Sequence, residues 1–125
     1  MEFDIVTPKT RSELLKAIRE HKNNFRFGAG YTDLILELKK KDVPNITIIN
    51  LAQLSDKKFI SIEKSGKSIR IGALVTASSI VNDKFIEKNF PVLQQAANHL
   101  ASAQIRQVAT IGGNICTASP SGDMA

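Results

Sequence analysis

The sequence predicts an α+β protein in two parts: a small parallel βαβ lobe over residues 1–54, and a larger lobe of antiparallel strands and helices begun over residues 55–125. Two observations predict it. Up to Asn50, short β-branched or aromatic runs alternate with stretches of helical apolar periodicity, the pattern of parallel strands joined by crossover helices. From Phe59 the pattern changes to two strands around Lys64-Ser65-Gly66-Lys67, a hairpin signal, followed by helices.

In chain order, Phe3–Thr7 reads as a strand ended by Pro8. Thr10-Arg11-Ser12-Glu13 is a capping box opening a helix whose stripe is Leu14, Leu15 and Ile18. Phe25-Arg26-Phe27 alternates as a strand and Gly28-Ala29-Gly30-Tyr31 turns. A second helix runs from about Thr32, with Leu34, Ile35 and Leu38 on one face, to Pro44 and Asn45. Ile46-Thr47-Ile48-Ile49 is a β-branched strand. Phe59–Glu63 and Ser68–Ile71 form the hairpin. Thr76 caps a short helix, Asp83–Lys88 adds a turn or two, and Pro91 opens a third main helix with Val92, Leu93, Ala96, Ala97 and Leu100 apolar. From Gln104 the chain reads as irregular, small and polar. A domain seldom ends in such a segment, so the sequence reads as part of a longer or split polypeptide.

Composition narrows the function. The 42% hydrophobic and 23% charged fractions are those of a folded globular chain rather than a disordered one. No apolar run approaches the roughly 18 residues of a membrane helix, and Met1-Glu2-Phe3-Asp4 has neither the basic start nor the apolar stretch of a secretory signal. One cysteine, Cys116, excludes an internal disulfide and any CxxC metal site, and suits the cytoplasm. It is expected to pack as a small hydrophobe. His21 and His99 are too few for a metal cluster and read as ordinary helix residues. The net charge of +5 raises nucleic-acid binding, but the lysines are scattered apart from Lys39-Lys40-Lys41, which reads as a solvated helix end with no interleaved aromatics. No serine–histidine pairing or paired carboxylates suggest nucleophilic or acid–base catalysis, so no catalytic residue is expected.

Two segments carry binding chemistry. Phe27–Asp33 joins a strand to a helix, where free N–H groups and the positive end of the dipole attract phosphate. Gly28 and Gly30 let the backbone approach closely, and Thr32 can cap the helix and donate to a phosphate oxygen. Asp33 stands where a Rossmann fingerprint needs glycine, and the Lys-Ser/Thr of a P-loop is missing. In Ala109-Thr110-Ile111-Gly112-Gly113-Asn114, the adjacent glycines after a strand-like Val108 can form an anion-binding nest, with Thr110 and Asn114 as side-chain donors. Either segment alone is equally well a structural turn. Together they favour a ligand with two phosphates.

Gln104-Ile105-Arg106-Gln107-Val108-Ala109-Thr110-Ile111-Gly112-Gly113-Asn114-Ile115, followed by Ala118-Ser119-Pro120-Ser121-Gly122-Asp123, closely resembles the flavin-domain signature of the xanthine dehydrogenase family. Ala29-Gly30-Tyr31-Thr32-Asp33, Asn50-Leu51, and Ile71-Gly72-Ala73 before Val75-Thr76 match upstream, and the resemblance runs from Phe3 to the last residue. It implies the FAD-binding medium subunit of a molybdenum hydroxylase, with a vanillyl-alcohol-oxidase-like (PCMH-type) FAD-binding fold, here incomplete. It implies that Phe27, Gly28, Ala29, Gly30, Tyr31, Thr32, Asp33 and Leu34 wrap the FAD pyrophosphate, together with Thr110, Ile111, Gly112, Gly113 and Asn114. Leu100 would lie near the flavin ring, and Ser119 and Asp123 would also contact FAD. Molybdopterin and [2Fe-2S] clusters would belong to partner subunits, which would pass electrons to FAD and on to an acceptor such as NAD. Family members continue well past this chain's last residue, so the remaining C-terminal part of the flavin subunit is a further expected partner. The alternative is an assembly fragment that docks to the same subunits without a complete flavin site.

Tyr31 stands where the family commonly has a second glycine. Its ring is expected to point away from the phosphates, over the cofactor or solvent. Tyr31→Gly should therefore retain FAD, as read from the visible spectrum of the purified protein; loss of FAD would show that the ring itself holds the cofactor.

Overall fold

A computed structural model describes residues 4–29, 46–100 and 102–117. The chain divides into two units, Met1–Asp56 and Lys57–Ala125. In the first, β1 (Asp4–Val6), β2 (Phe25–Gly28) and β3 (Thr47–Asn50) form a sheet in the order β1-β3-β2, with both pairs parallel. The register sets Ile5 against Ile48 and Phe27 against Ile49. The expected parallel layer is thus the one observed. As the central strand, β3 is covered on both faces, and Thr47, Ile48 and Ile49 are all buried.

Helix α1 (Arg11–His21) connects β1 to β2 and buries Leu14 and Ala17. Thr10 caps it as expected, its hydroxyl accepting from the Glu13 N–H at 3.2 Å. The Glu13 carboxylate closes the box one residue further back, accepting from the Lys9 N–H at 2.7 Å. Arg11 pairs with Asp56 at 2.6 Å. The expected second helix, including Lys39-Lys40-Lys41, lies outside the described residues.

The second unit opens with α2 (Lys57–Ile60), then the antiparallel pair β4 (Ile62–Ser65) and β5 (Ser68–Ile71). The hairpin was expected, but its first strand starts later, because Phe59 and Ile60 belong to a helical turn closed by the Ser61 N–H on the Lys57 carbonyl. Ser65 pairs with Ser68, so the turn is Gly66–Lys67 alone. Gly66 has φ +59° and Lys67 does not share the positive φ, which is the type II′ pattern that glycine enables.

Among the described residues five helices follow: α3 (Ala77–Val81), α4 (Lys84–Asn89), α5 (Pro91–Asn98), α6 (Ala103–Val108) and α7 (Ile111–Thr117). Thr76 caps α3 and Asp83 caps α4 through their side chains, and Pro91 occupies the first turn of α5. The core gathers Val75, Ala77, Ile80, Ile86, Ala97, Leu100 and Ala109. Val92 does not join the expected apolar face of α5: it is 78% exposed. The segment from Gln104, expected to be irregular, forms two short helices as far as Thr117, and residues 118–125 lie outside the described residues. Ser102 caps α6 by accepting from the Ile105 N–H. The Arg106 guanidinium reaches the Asn98 and Leu100 carbonyls at 3.1 Å each, tying α6 to the end of α5. Among the described residues, no helix is long and apolar enough to cross a membrane.

Ile80 is fully buried at the centre of this core. Ile80→Ala should cost about 2–5 kcal/mol in denaturant unfolding, whereas Val92→Ala should stay within about 0.5 kcal/mol. Equal costs at the two positions would contradict this placement of the core.

Candidate functional site

Parallel pairing brings the C-terminal ends of β1, β2 and β3 to one edge of the sheet. That edge is where open α/β sheets bind ligands. Here it is knitted together by short polar links. The Gly28 carbonyl accepts from the Leu51 N–H at 2.7 Å. The Asn50 amide donates to the Thr7 hydroxyl at 3.4 Å, and its oxygen accepts from the Ala52 N–H at 3.2 Å. The Asn50-Leu51 match thus has a structural task, bracing the strand ends. Gly28 is buried, Ala29 half-buried and Phe27 47% exposed. The Phe27 ring meets that of Phe25 edge-on at 5.1 Å. Gly30, Tyr31, Thr32, Asp33 and Leu34 lie outside the described residues.

In the second unit, the segment Thr110–Asn114 is the first turn of α7 rather than a loop after a strand. A helix start leaves its first N–H groups without helical partners, and here the protein supplies acceptors for those of Ile111, Gly112 and Gly113. The Ile111 N–H donates to the Val75 carbonyl and the Gly112 N–H to the Ala73 carbonyl, each at 2.9 Å. The Gly113 N–H donates to the Thr110 hydroxyl at 3.0 Å, and the Asn114 N–H to the Thr110 carbonyl at 3.0 Å. The Ala77 N–H on the Ala109 carbonyl at 2.9 Å and an antiparallel bridge between Thr76 and Thr110 complete the contact.

The expected nest of free N–H groups at Gly112–Gly113 is therefore corrected. Those groups already donate to the 73–75 turn and to Thr110. Within the segment Gly113 is exposed and Asn114 is half-buried. Thr110 is buried as the helix cap, Ile111 packs against the core, and Leu100 is only 9% exposed within it. Ser119 and Asp123 lie outside the described residues.

The acceptor turn was not recognised as part of the site from sequence. Its signal was present in Ile71-Gly72-Ala73: a Cβ on Gly72 would collide with the Phe59 backbone, so glycine alone lets the turn seat there. Cys116, expected to be packed, is exposed on α7. His21 ends α1 and His99 caps the end of α5. Among the described residues no group of histidine, cysteine and carboxylate side chains could hold a metal ion.

The family profile described as "FAD binding domain in molybdopterin dehydrogenase" matches residues 1–125. The nicotinate dehydrogenase FAD-subunit of Eubacterium barkeri is 34% identical over 123 residues, covering 98% of this chain and 41% of the relative. The xanthine dehydrogenase FAD-binding subunit of Escherichia coli O157:H7 is 35% identical over 97 residues, covering 78% of this chain and 33% of the relative. Among solved structures, reconstituted CO dehydrogenase from Oligotropha carboxidovorans superimposes with a TM-score of 0.88 at 25% identity, over 99% of this chain and 43% of that one. The chain thus spans well under half the length of these relatives. The expected α+β FAD-binding fold is the observed one, with its parallel sheet and its antiparallel, helix-rich unit. On these matches, the chain belongs to the family of FAD-binding domains of molybdopterin dehydrogenases.

Proposed function

We propose that this chain holds FAD in a heteromeric oxidoreductase of the molybdenum hydroxylase type, at the point where electrons leave the metal centres. FAD supplies the electron-accepting and electron-donating chemistry when bound. The chain's own residues bind and orient it. Phe27, Gly28 and Ala29, continuing to Leu34, lie along the pyrophosphate. Thr110 to Asn114 meet the cofactor mainly through Gly113 and Asn114. Leu100 backs the flavin ring, and Ser119 and Asp123 add polar contacts. The observation that carries the reading is the exposure of Gly113 on a helix start whose Ile111, Gly112 and Gly113 N–H groups are bonded within the protein.

Molybdopterin and [2Fe-2S] clusters reside in partner subunits, with NAD as one acceptor, in a cytoplasmic complex. The exposed apolar side chains Val92, Val108 and Ile115, at 78%, 49% and 49%, are covered in that assembly by further flavin polypeptide or by the partners. The spent N–H groups of α7 also favour a second reading, in which the chain serves assembly without a complete flavin site.

Purification of the native complex separates the two. The flavin reading expects an oxidised-flavin absorption band, one FAD released per chain on denaturation, and bleaching of that band on adding the complex's reducing substrate. An intact complex with no flavin would support the assembly reading, and FMN in place of FAD would overturn the proposed dinucleotide contacts.

A further inference from the structure

Resting on the FAD reading above, we infer that the adjacent glycines of α7 have separate tasks: Gly112 positions the helix, and Gly113 alone faces the cofactor. The space around each decides this. A Cβ built on Gly112 would lie 2.8 Å from the Ala73 carbonyl oxygen and 3.0 Å from the Ala73 Cβ. Real Cβ atoms essentially never come so close to a backbone oxygen, and this backbone has little freedom to yield. The Ala73 carbonyl accepts from the Gly112 N–H, and the residues on either side are bonded to the 59–61 segment: Gly72 N–H to the Ser61 carbonyl at 3.0 Å, Leu74 N–H to the Phe59 carbonyl at 2.8 Å. A side chain at position 112 would thus lift α7 off its seat.

Gly113 differs. It is exposed, and among the described residues the only neighbour a Cβ there would meet is the Thr110 hydroxyl, at 3.0 Å. That oxygen is on a side chain and can shift by a few tenths of an ångström. The fold therefore tolerates a side chain at 113, and what glycine secures there is close approach of a ligand to the helix backbone. Gly112 acts on the cofactor only through the placement of Gly113 and Asn114.

The test uses Gly112→Ala and Gly113→Ala, each with and without Ala73→Gly, in the native complex stripped of FAD and then titrated with FAD. The readouts are the melting temperature of the FAD-free protein and the FAD affinity at a temperature well below melting. Gly112→Ala should lower the FAD-free Tm by roughly 5 °C or more and weaken FAD binding on the order of tenfold. Ala73→Gly, which removes the Cβ contact and frees the turn, should restore part of both. Gly113→Ala should leave the FAD-free Tm within roughly 2 °C, weaken FAD binding at least as much, and gain nothing from Ala73→Gly. If Gly112→Ala lost FAD with no change in Tm and no rescue, Gly112 would itself face the cofactor and the division of tasks would be overturned. A lowered Tm with undiminished affinity in the folded protein would make Gly112 structural only, against the positioning role. Unchanged FAD affinity in both variants would instead remove this segment from the cofactor site, overturning the FAD reading of it.

Discussion

The second unit depends on one backbone contact, the seating of residues 109–112 on residues 73–77. Three backbone hydrogen bonds make it: the Ala77 N–H to the Ala109 carbonyl, the Ile111 N–H to the Val75 carbonyl and the Gly112 N–H to the Ala73 carbonyl. The close approach of Gly112 to Ala73 in this contact depends on glycine, as does a further contact, Gly72 against Phe59. The helix so placed could not stand alone. Ile-Gly-Gly-Asn-Ile-Cys-Thr is a poor helix former, since each glycine costs about 1 kcal/mol relative to alanine. Its first turn forms because the protein provides acceptors at the right positions, and the core residues Val75, Ala77 and Ala109 flanking the contact are buried. The segment that resembles a ligand-binding loop is therefore first a piece of tertiary architecture.

The first unit uses a different device for a comparable end. A buried, β-branched central strand aligns three strand ends, and Asn50 and Gly28 link those ends without a long side chain. In both units, matched motif residues outside the glycine loops themselves, Asn50 in one and Gly72 in the other, brace the frame.

Much of this was legible in the sequence, for identifiable reasons. β-branched runs and helical periodicity are local signals, so the parallel strands, α1 and its Thr10 cap, the hairpin turn at Gly66, the Thr76 cap and the Pro91 start could all be read directly. The errors fall where distant contacts decide. α7 looked irregular because its helical state is imposed by the 73–75 carbonyls, some forty residues away in sequence. α6 was missed because Ser102 caps it without a glutamate to signal a box, and because Arg106 contributes through carbonyls of the preceding helix. Phe59 and Ile60 looked like strand residues but close a helical turn. Of the site, the positions of interest were legible as a motif, whereas the direction of their N–H groups was not: inferring a nest assumed donors without partners, and the fold had supplied them.

The first turn of α7 is built by internal hydrogen bonds, and the proposal is that it presents Gly113 to FAD. Hydrogen–deuterium exchange of the native complex, with and without FAD, tests it most directly, because exchange reports the opening of individual bonded segments. The Ile111 and Gly112 amides should be protected before FAD is added, and FAD should add protection to the peptide spanning residues 110–117. Rapid exchange at Ile111 and Gly112 until FAD binds would contradict the account, because the cofactor and not the 73–75 turn would then be building the helix start.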